Sequence, residues 1–315
     1  MYDNDVIVIT DLNDLDEILL IPIDKLTSLQ HLTFGDEFNH PLSNSLDKLT
    51  SLQHLTFGKK FNQPLLNSLD KLTSLKYLTF GFYFNQPLSN SLDKLTSLQH
   101  LTLGDNFNHP LSNSLDKLTS LQYLTFDWRF NQPLSNSLDK LTSLQNLTFG
   151  DIFNQPLSNS LDKLTNLTHL TFGFWFNQPL SNGLDKLTSL QHLTLGYKFN
   201  QPLDLPSNIK YLVLDCNNQN IIDNLHNNIK ELTLCYRFNL KLDNLQSSIE
   251  KIIIKNGFYN KELNNLPSSI EYISLPLYYE KKILNIPKNL KEINCNENYE
   301  FIDDFSNYQV SFIEW

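Results

Sequence analysis

Alanine is absent from all 315 residues, arginine occurs only at Arg129 and Arg237, and there is one methionine. Without its best helix former the chain is poorly suited to long helices. Heavy use of Asn, Ile and Leu alongside that absence points to an A/T-rich genome. With 24 basic against 34 acidic side chains and a net charge of −10, the chain lacks the clustered Lys and Arg that a phosphate-tracking surface needs, which excludes nucleic acid as its main partner. No run of 18 apolar residues occurs, so no membrane-spanning helix is expected. The first residues, MYDNDVIVITDLND, are acidic where an ordinary secretion signal is basic, and a cytoplasmic location is expected. Cysteine is limited to Cys216, Cys235 and Cys295, an odd number without CxxC spacing, which reads as reduced, partly buried thiols rather than a disulfide framework or zinc site. The nine glycines mostly follow strands and build no phosphate cradle. G-x-S-x-G and H-E-x-x-H are missing as well, and Ser, His and Asp recur identically from copy to copy, whereas an active site is built once. No enzyme, no cofactor and no metal are expected.

What the chain has is a repeat. Phe38, Phe61, Phe84, Phe107, Phe130, Phe153, Phe176 and Phe199 each open an F-N-[QH]-P-L string at a constant spacing of 23 residues. One unit reads FNQPLLNSLDKLTSLKYLTFGFY. After Leu203 the step shortens, and Ile209, Ile229, Ile249, Ile270 and Leu290 recur at 20, 20, 21 and 20 residues. The expected organisation is an N-terminal capping turn (1–25, with Val6–Ile9 as its strand), eight 23-residue repeats (26–203), divergent turns of 20–21 residues (204–296) and a C-terminal cap (297–315), all one continuous array.

Within a unit, Leu29, Leu32 and Phe34 give L-x-x-L-x-F, and the period of two at its end reads as a strand of about four residues. A connection of about 18 residues back to an equivalent strand requires parallel pairing. Phe38, Leu42, Leu46 and Leu49 then return the chain with their side chains inward, and the Phe38 series should stack as an aromatic spine. Asn39 and its equivalents are expected to point inward and satisfy backbone groups of the next loop. SNSLDKLTSL is long enough for a single helical turn, capped by Ser43 or Asn44. The predicted fold is an α/β repeat solenoid, an arc with a concave parallel sheet and an irregular or short-helical convex side.

The L-x-x-L-x-L pattern with a period of 20–23 residues resembles the leucine-rich repeats. The F-N-Q-P-L string followed by LTSLQHLTFG resembles the FNIP repeat, a relative of that family abundant in social amoebae and giant amoebal viruses, strongly over 26–203 and loosely over 204–296. The resemblance implies an amoeba or a giant amoebal virus as the source and protein recognition as the role. Many FNIP proteins also carry an F-box that links them to ubiquitin ligases. The 25 residues before the first full repeat are too few for that domain, so the recognition role is the one expected here.

Side chains alternate across a strand, so the position before each inward Leu faces outward. It reads His31, His54, Tyr77, His100, Tyr123, Asn146, His169, His192 and Tyr211. Adjacent histidines stand one strand apart, but no carboxylate or cysteine converges on them to complete a metal site. The most variable positions are the two after the strand glycine, including Phe82-Tyr83, Trp128-Arg129, Phe174-Trp175 and Tyr197-Lys198. Drift in a solvated loop delivers polar residues, whereas here it delivers the side chains enriched at binding hot spots. Two other accounts stand beside binding: harmless drift, and packing of these side chains on one another along the edge. The expected protein-binding set is His31, His54, Tyr77, Phe82, Tyr83, His100, Tyr123, Trp128, Arg129, Phe174, Trp175, His192 and Tyr197. A non-enzymatic protein-interaction scaffold is the leading function. A structural or self-assembling protein, for example a component of a viral particle or factory, is the alternative.

Overall fold

A computed structural model describes residues 6–9, 23–180, 183–255 and 257–313. It resolves into two compact units, the first formed by Met1–Thr168 with Lys186–Thr188 and the second by His169–Asp185 with Ser189–Trp315. Unit one carries β1 (Val6–Ile9), β2 (His31–Phe34), β3 (His54–Thr56), β4 (Tyr77–Thr79), β5 (His100–Leu103), β6 (Tyr123–Phe126) and β7 (Asn146–Thr148). Unit two carries β8 (His169–Thr171), β9 (His192–Leu195), β10 (Tyr211–Leu214), β11 (Glu231–Leu234), β12 (Lys251–Ile254), β13 (Tyr272–Ser274), β14 (Glu292–Cys295) and β15 (Gln309–Phe312). In each unit the strands follow one another in chain order and pair in parallel, in register by repeat position. His31 stands beside His54, Leu32 beside Leu55 and Thr33 beside Thr56. The expected parallel solenoid is therefore present, and so is the strand expected at Val6–Ile9, where β1 pairs with β2; at the other end β15, which the sequence did not announce, pairs with β14.

The core is built from repeat positions. In the turn from Phe61, the side chains of Phe61, Leu65, Leu69, Leu72, Leu75, Leu78 and Phe80 are all buried. Two phenylalanine ladders run through unit one. The strand-end series stacks at 5.3 Å from Phe34 to Phe57 and from Phe57 to Phe80. The Phe38 series stacks at 5.9 Å to Phe61 and 6.0 Å on to Phe84, as expected for a spine. In unit two the spine position becomes Tyr259, Tyr279 and Tyr299. Each buried ring keeps its hydroxyl satisfied by donating to a carbonyl one turn back, on Leu240, Lys261 and Lys281 at 3.1, 3.0 and 2.7 Å. Burial pushes these phenols well above their ordinary pKa, so they serve as neutral donors.

Two local expectations are corrected. The SNSLDKLTSL segment forms no regular helix. Its N–H groups bond back three residues (Ser45 to Leu42, Asp47 to Asn44, Leu49 to Leu46), and Ser43 sits at φ 45°, left-handed rather than capping. The same position is left-handed at Ser89, Ser112, Ser135 and Ser158, and at Leu66, whose side chain is 72% exposed. The asparagines after the spine do serve the backbone, but not from inside. Asn39 is exposed, and its Oδ1 accepts from the Asn62 N–H at 2.8 Å while the Gln63 side-chain amide donates to the same oxygen at 3.1 Å. The bond repeats from Asn62 to Asn85 and from Asn85 to Asn108. An edge location works because the groups being satisfied lie in the return loop, at the rim of the core.

The glycines after the strands answer to close approach rather than to backbone conformation, since none has a positive φ. A Cβ on Gly104 would lie 1.9 Å from the Gly81 carbonyl oxygen, and one on Gly58 would lie 2.1 Å from that of Gly35. Where another residue takes this place, the chain leaves the ladder later. The N–H of Asp127 donates to Leu103 at 3.1 Å, that of Asp215 to Leu195 at 3.0 Å and that of Cys235 to Leu214 at 2.8 Å. Gly104→Ala should therefore destabilise the protein by more than about 2 kcal/mol, because backbone must move. Leu66→Asn should stabilise it by about 0.5–1 kcal/mol, because Asn tolerates the left-handed region and no buried contact is lost. Urea unfolding of the two variants checks both signs.

Candidate functional site

Alternation in the strands puts Leu32 and Phe34 in the core and leaves His31 and Thr33 half-buried on the open face of the sheet. On that face of unit one, His31, His54, Tyr77, His100 and Tyr123 form an unbroken stack, with successive ring centroids 4.0, 4.1, 4.2 and 4.1 Å apart. Asn146 supplies no ring. In unit two His169, His192 and Tyr211 continue the pattern at 3.9 and 4.2 Å. The column then turns ionic. Lys251 pairs with Glu231 at 3.2 Å and stands 5.2 Å over the Tyr272 ring. Stacking costs the histidines water. Desolvation holds His54, His100, His169 and His192 below the ordinary histidine pKa, aided at His54 by His31, Lys76 and His100 and at His192 by His169 against an opposing Glu231.

The second candidate surface is the edge where the strands end. In unit one Phe82 and Tyr83 meet edge-on at 4.8 Å, with Lys59 5.8 Å over Phe82. Trp128 is 54% exposed, and Arg129 beside it is exposed too. Asp127 has its carboxyl pushed above the usual range, by partial desolvation first and then by the charge and hydrogen bond of Asp105, with Asp151 adding to it. In unit two Phe174 and Tyr197 are half-buried, their rings 5.1 Å apart, with Trp175 beside them 51% exposed. The Arg237 guanidinium lies 4.6 Å over Tyr197 and 4.8 Å over Phe174. Lys198 lies 5.1 Å from both the Trp175 and the Tyr197 ring.

The strand-face candidates are thus brought together as two stacked columns, His31 to Tyr123 in unit one and around His192 in unit two. The edge candidates form separate groups: Phe82 with Tyr83, Trp128 with Arg129, and Phe174 with Trp175 and Tyr197. Phe174 and Tyr197 are platforms under Arg237 rather than free anchors, so packing along the edge accounts for part of that set. Sequence reading passed over Tyr236, Arg237, Phe258 and Tyr278. The signal was available, because Cys235-Tyr236-Arg237-Phe238 aligns with Gly196-Tyr197-Lys198-Phe199 once the shorter period is followed past Leu203.

Among the described residues no three His, Cys, Asp or Glu side chains group to hold a metal ion. Burial raises all three thiols, Cys216 to about 11, which leaves them protonated and weakly nucleophilic. No helix of the described residues is long and apolar enough to cross a membrane.

Comparison with known proteins places this geometry. The sequence matches the Leucine-rich repeat region family over residues 58–248. Among solved structures it is similar to CroV588 of a giant virus, described as a novel circular LRR protein, with 30% identity, a TM-score of 0.66 and coverage of 87% of this chain and 44% of that one. The chain therefore spans less than half the length of CroV588. The internalin inlF of Listeria monocytogenes shares the fold at 18% identity and a TM-score of 0.55, over 93% of this chain and 83% of its own. TLR13, solved as a complex with ssRNA13, shares it at 15% identity and a TM-score of 0.60, over 98% and 50%. A search of curated proteins found no match.

The histidine column sets a pH dependence. With folded pKa values below the unfolded value of about 6.5, the unfolded chain binds more protons in the window beneath it. The stabilisation is complete above that pH and is lost as pH falls through about 6.5 toward the folded values. Asp127, raised instead of lowered, acts in the opposite sense nearer the carboxylate range. Urea midpoints should fall between about pH 7.5 and 5.5, and a His54→Gln, His100→Gln variant should show a shallower fall.

Proposed function

The chain belongs to the leucine-rich repeat family, and on that premise we propose that it is a non-enzymatic scaffold that binds another protein through the open face of its sheet and the variable edge beside it. The observation that carries this reading is the contrast between frame and edge. From turn to turn the core, the asparagine bonds and the strand threonines hardly change, while the two edge positions change freely and collect exposed large side chains: Phe82, Tyr83, Trp128 and Trp175. Exposed aromatics of this size are avoided on surfaces that meet only water and favoured where a partner covers them. Raised thiol pKa values favour binding over catalysis. We read the 23-residue units as FNIP-type repeats and the working location as the cytoplasm, that of the host if the chain is viral.

The test combines capture from host lysate with a paired substitution at the edge. A stoichiometric protein partner should be recovered, and Trp128→Ala with Trp175→Ala should weaken its binding by about 2 kcal/mol or more with little change in melting temperature. Full affinity together with a clear drop in melting temperature would make both rings structural and remove the edge from the binding surface. Concentration-dependent self-association in place of a partner would move the reading to an assembly protein.

A further inference from the structure

On the edge of unit two, two cations are held together over aromatic rings. Four of its lysines reach a carboxylate on a neighbouring turn: Lys230 to Glu250, Lys251 to Glu231, Lys282 to Asp304 and Lys291 to Glu271, at 2.5 to 3.2 Å. Lys198 and Arg237 form no ion pair among the described residues, although the chain has ten more acidic than basic side chains. They rest on rings instead, Arg237 over Tyr197 and Phe174, Lys198 beside Tyr197 and Trp175. The carboxylate next to this group, Asp215, accepts the Arg237 backbone N–H at 3.0 Å. Around the two cations stand Trp175, 51% exposed, and Tyr236, 73% exposed.

We propose that this patch is the docking site for an acidic, aromatic-containing segment of a partner protein. The inference rests on the scaffold reading above and names the chemistry of the partner. A guanidinium held over two rings has lost much of its conformational freedom, and its N–H groups remain the donors that match a carboxylate. Lys198 supplies a second positive point, and the exposed faces of Trp175 and Tyr236 supply stacking area for a neighbouring ring. Charge complementarity selects an acidic over a basic or neutral segment, because two positive side chains share the Tyr197 ring here and neither forms an ion pair among the described residues. It also selects a peptide over a nucleic acid. Two cations neutralise two phosphates at most, and a surface of net charge −10 repels the remainder of a polyanion, whereas an acidic segment brings a few carboxylates among neutral residues.

Fluorescence anisotropy on the full chain tests this with three labelled probes: the peptide Glu-Glu-Tyr-Glu-Glu-Tyr, its Gln-Gln-Tyr-Gln-Gln-Tyr counterpart, and a single-stranded oligothymidylate. The acidic peptide should bind saturably, the neutral one at least about tenfold more weakly, and the oligothymidylate more weakly than the acidic peptide. Lys198→Gln with Arg237→Gln should weaken the acidic peptide at least about tenfold, whereas Lys288→Gln, an exposed lysine elsewhere on the unit, should leave it unchanged. Equal binding of the two peptides, no saturable binding, or full affinity in the double variant would overturn the proposal, and tighter binding of the oligothymidylate would replace it with nucleic acid. A captured partner that needs Trp175 but binds the Lys198→Gln, Arg237→Gln variant at full affinity would leave the scaffold standing and remove only the acidic segment.

Discussion

Most framework side chains of the repeat have a copy of themselves as neighbour, one strand spacing of about 4.8 Å away along the sheet. That constraint decides which residues the array accepts. A phenylalanine satisfies it by stacking on the next phenylalanine, and a leucine by packing on the next leucine. Asparagine satisfies it with one oxygen that accepts the next turn's N–H, a bond that extends for as long as the residue repeats. A charge satisfies it where water reaches it, as in the Asp47-Lys48 pair that recurs from turn to turn. Where water is partly lost it does not: at Asp127, desolvation first and then the neighbouring Asp105 and Asp151 drive the carboxyl toward its protonated form. In the later turns the column answers with alternating sign, Glu231 beside Lys251. The turn before a given one is thus the main part of its environment, and a single turn on its own would have neither a core nor partners for its loop backbone.

This is why so much of the fold was legible in the sequence. A constant spacing of 23 residues fixes register, and register fixes that like meets like, so parallel pairing, the two-fold alternation at Leu32 and Phe34, and the spine through Phe38 follow from counting. What was not legible lies where backbone contacts, rather than side-chain pattern, decide. Ser43 looks like a helix cap in sequence, yet the chain has to reverse within a few residues there, and it does so through a left-handed residue. Nothing at Leu66 announces that a leucine occupies the same strained place. A glycine after a strand, as at Gly58, Gly104 and Gly196, reads as a turn residue, and its actual cause is a carbonyl oxygen of the neighbouring turn about 2 Å from where a Cβ would be. Asparagine at the spine was assigned the right bond and the wrong side of the rim, because pattern gives periodicity and not depth.

The candidate site was half legible for a related reason. The strand-face column of His31, His54, Tyr77, His100 and Tyr123 is set by register and was readable as neighbours. The edge groups depend on how far a side chain reaches across turns. Arg237 belongs to a 20-residue turn and lies over Tyr197 and Phe174 from 23-residue turns. No comparison within one repeat class would pair them.

The edge is also released from self-pairing. Residues there need not accommodate copies of themselves in a closed core, so their identities can differ from turn to turn without disturbing the frame. A repeat array acquires specificity in this way: the stacked interior supplies rigidity, and a short row of positions outside it carries whatever chemistry a partner demands. In unit two that row combines exposed rings with cations that no internal acid neutralises. Other lysines of the unit, such as Lys210 and Lys241, also form no ion pair among the described residues, and what distinguishes Lys198 and Arg237 is that both stand over the Tyr197 ring. Holding them on aromatic faces keeps their charge available and their geometry fixed, and both properties matter when a negative group arrives from another molecule.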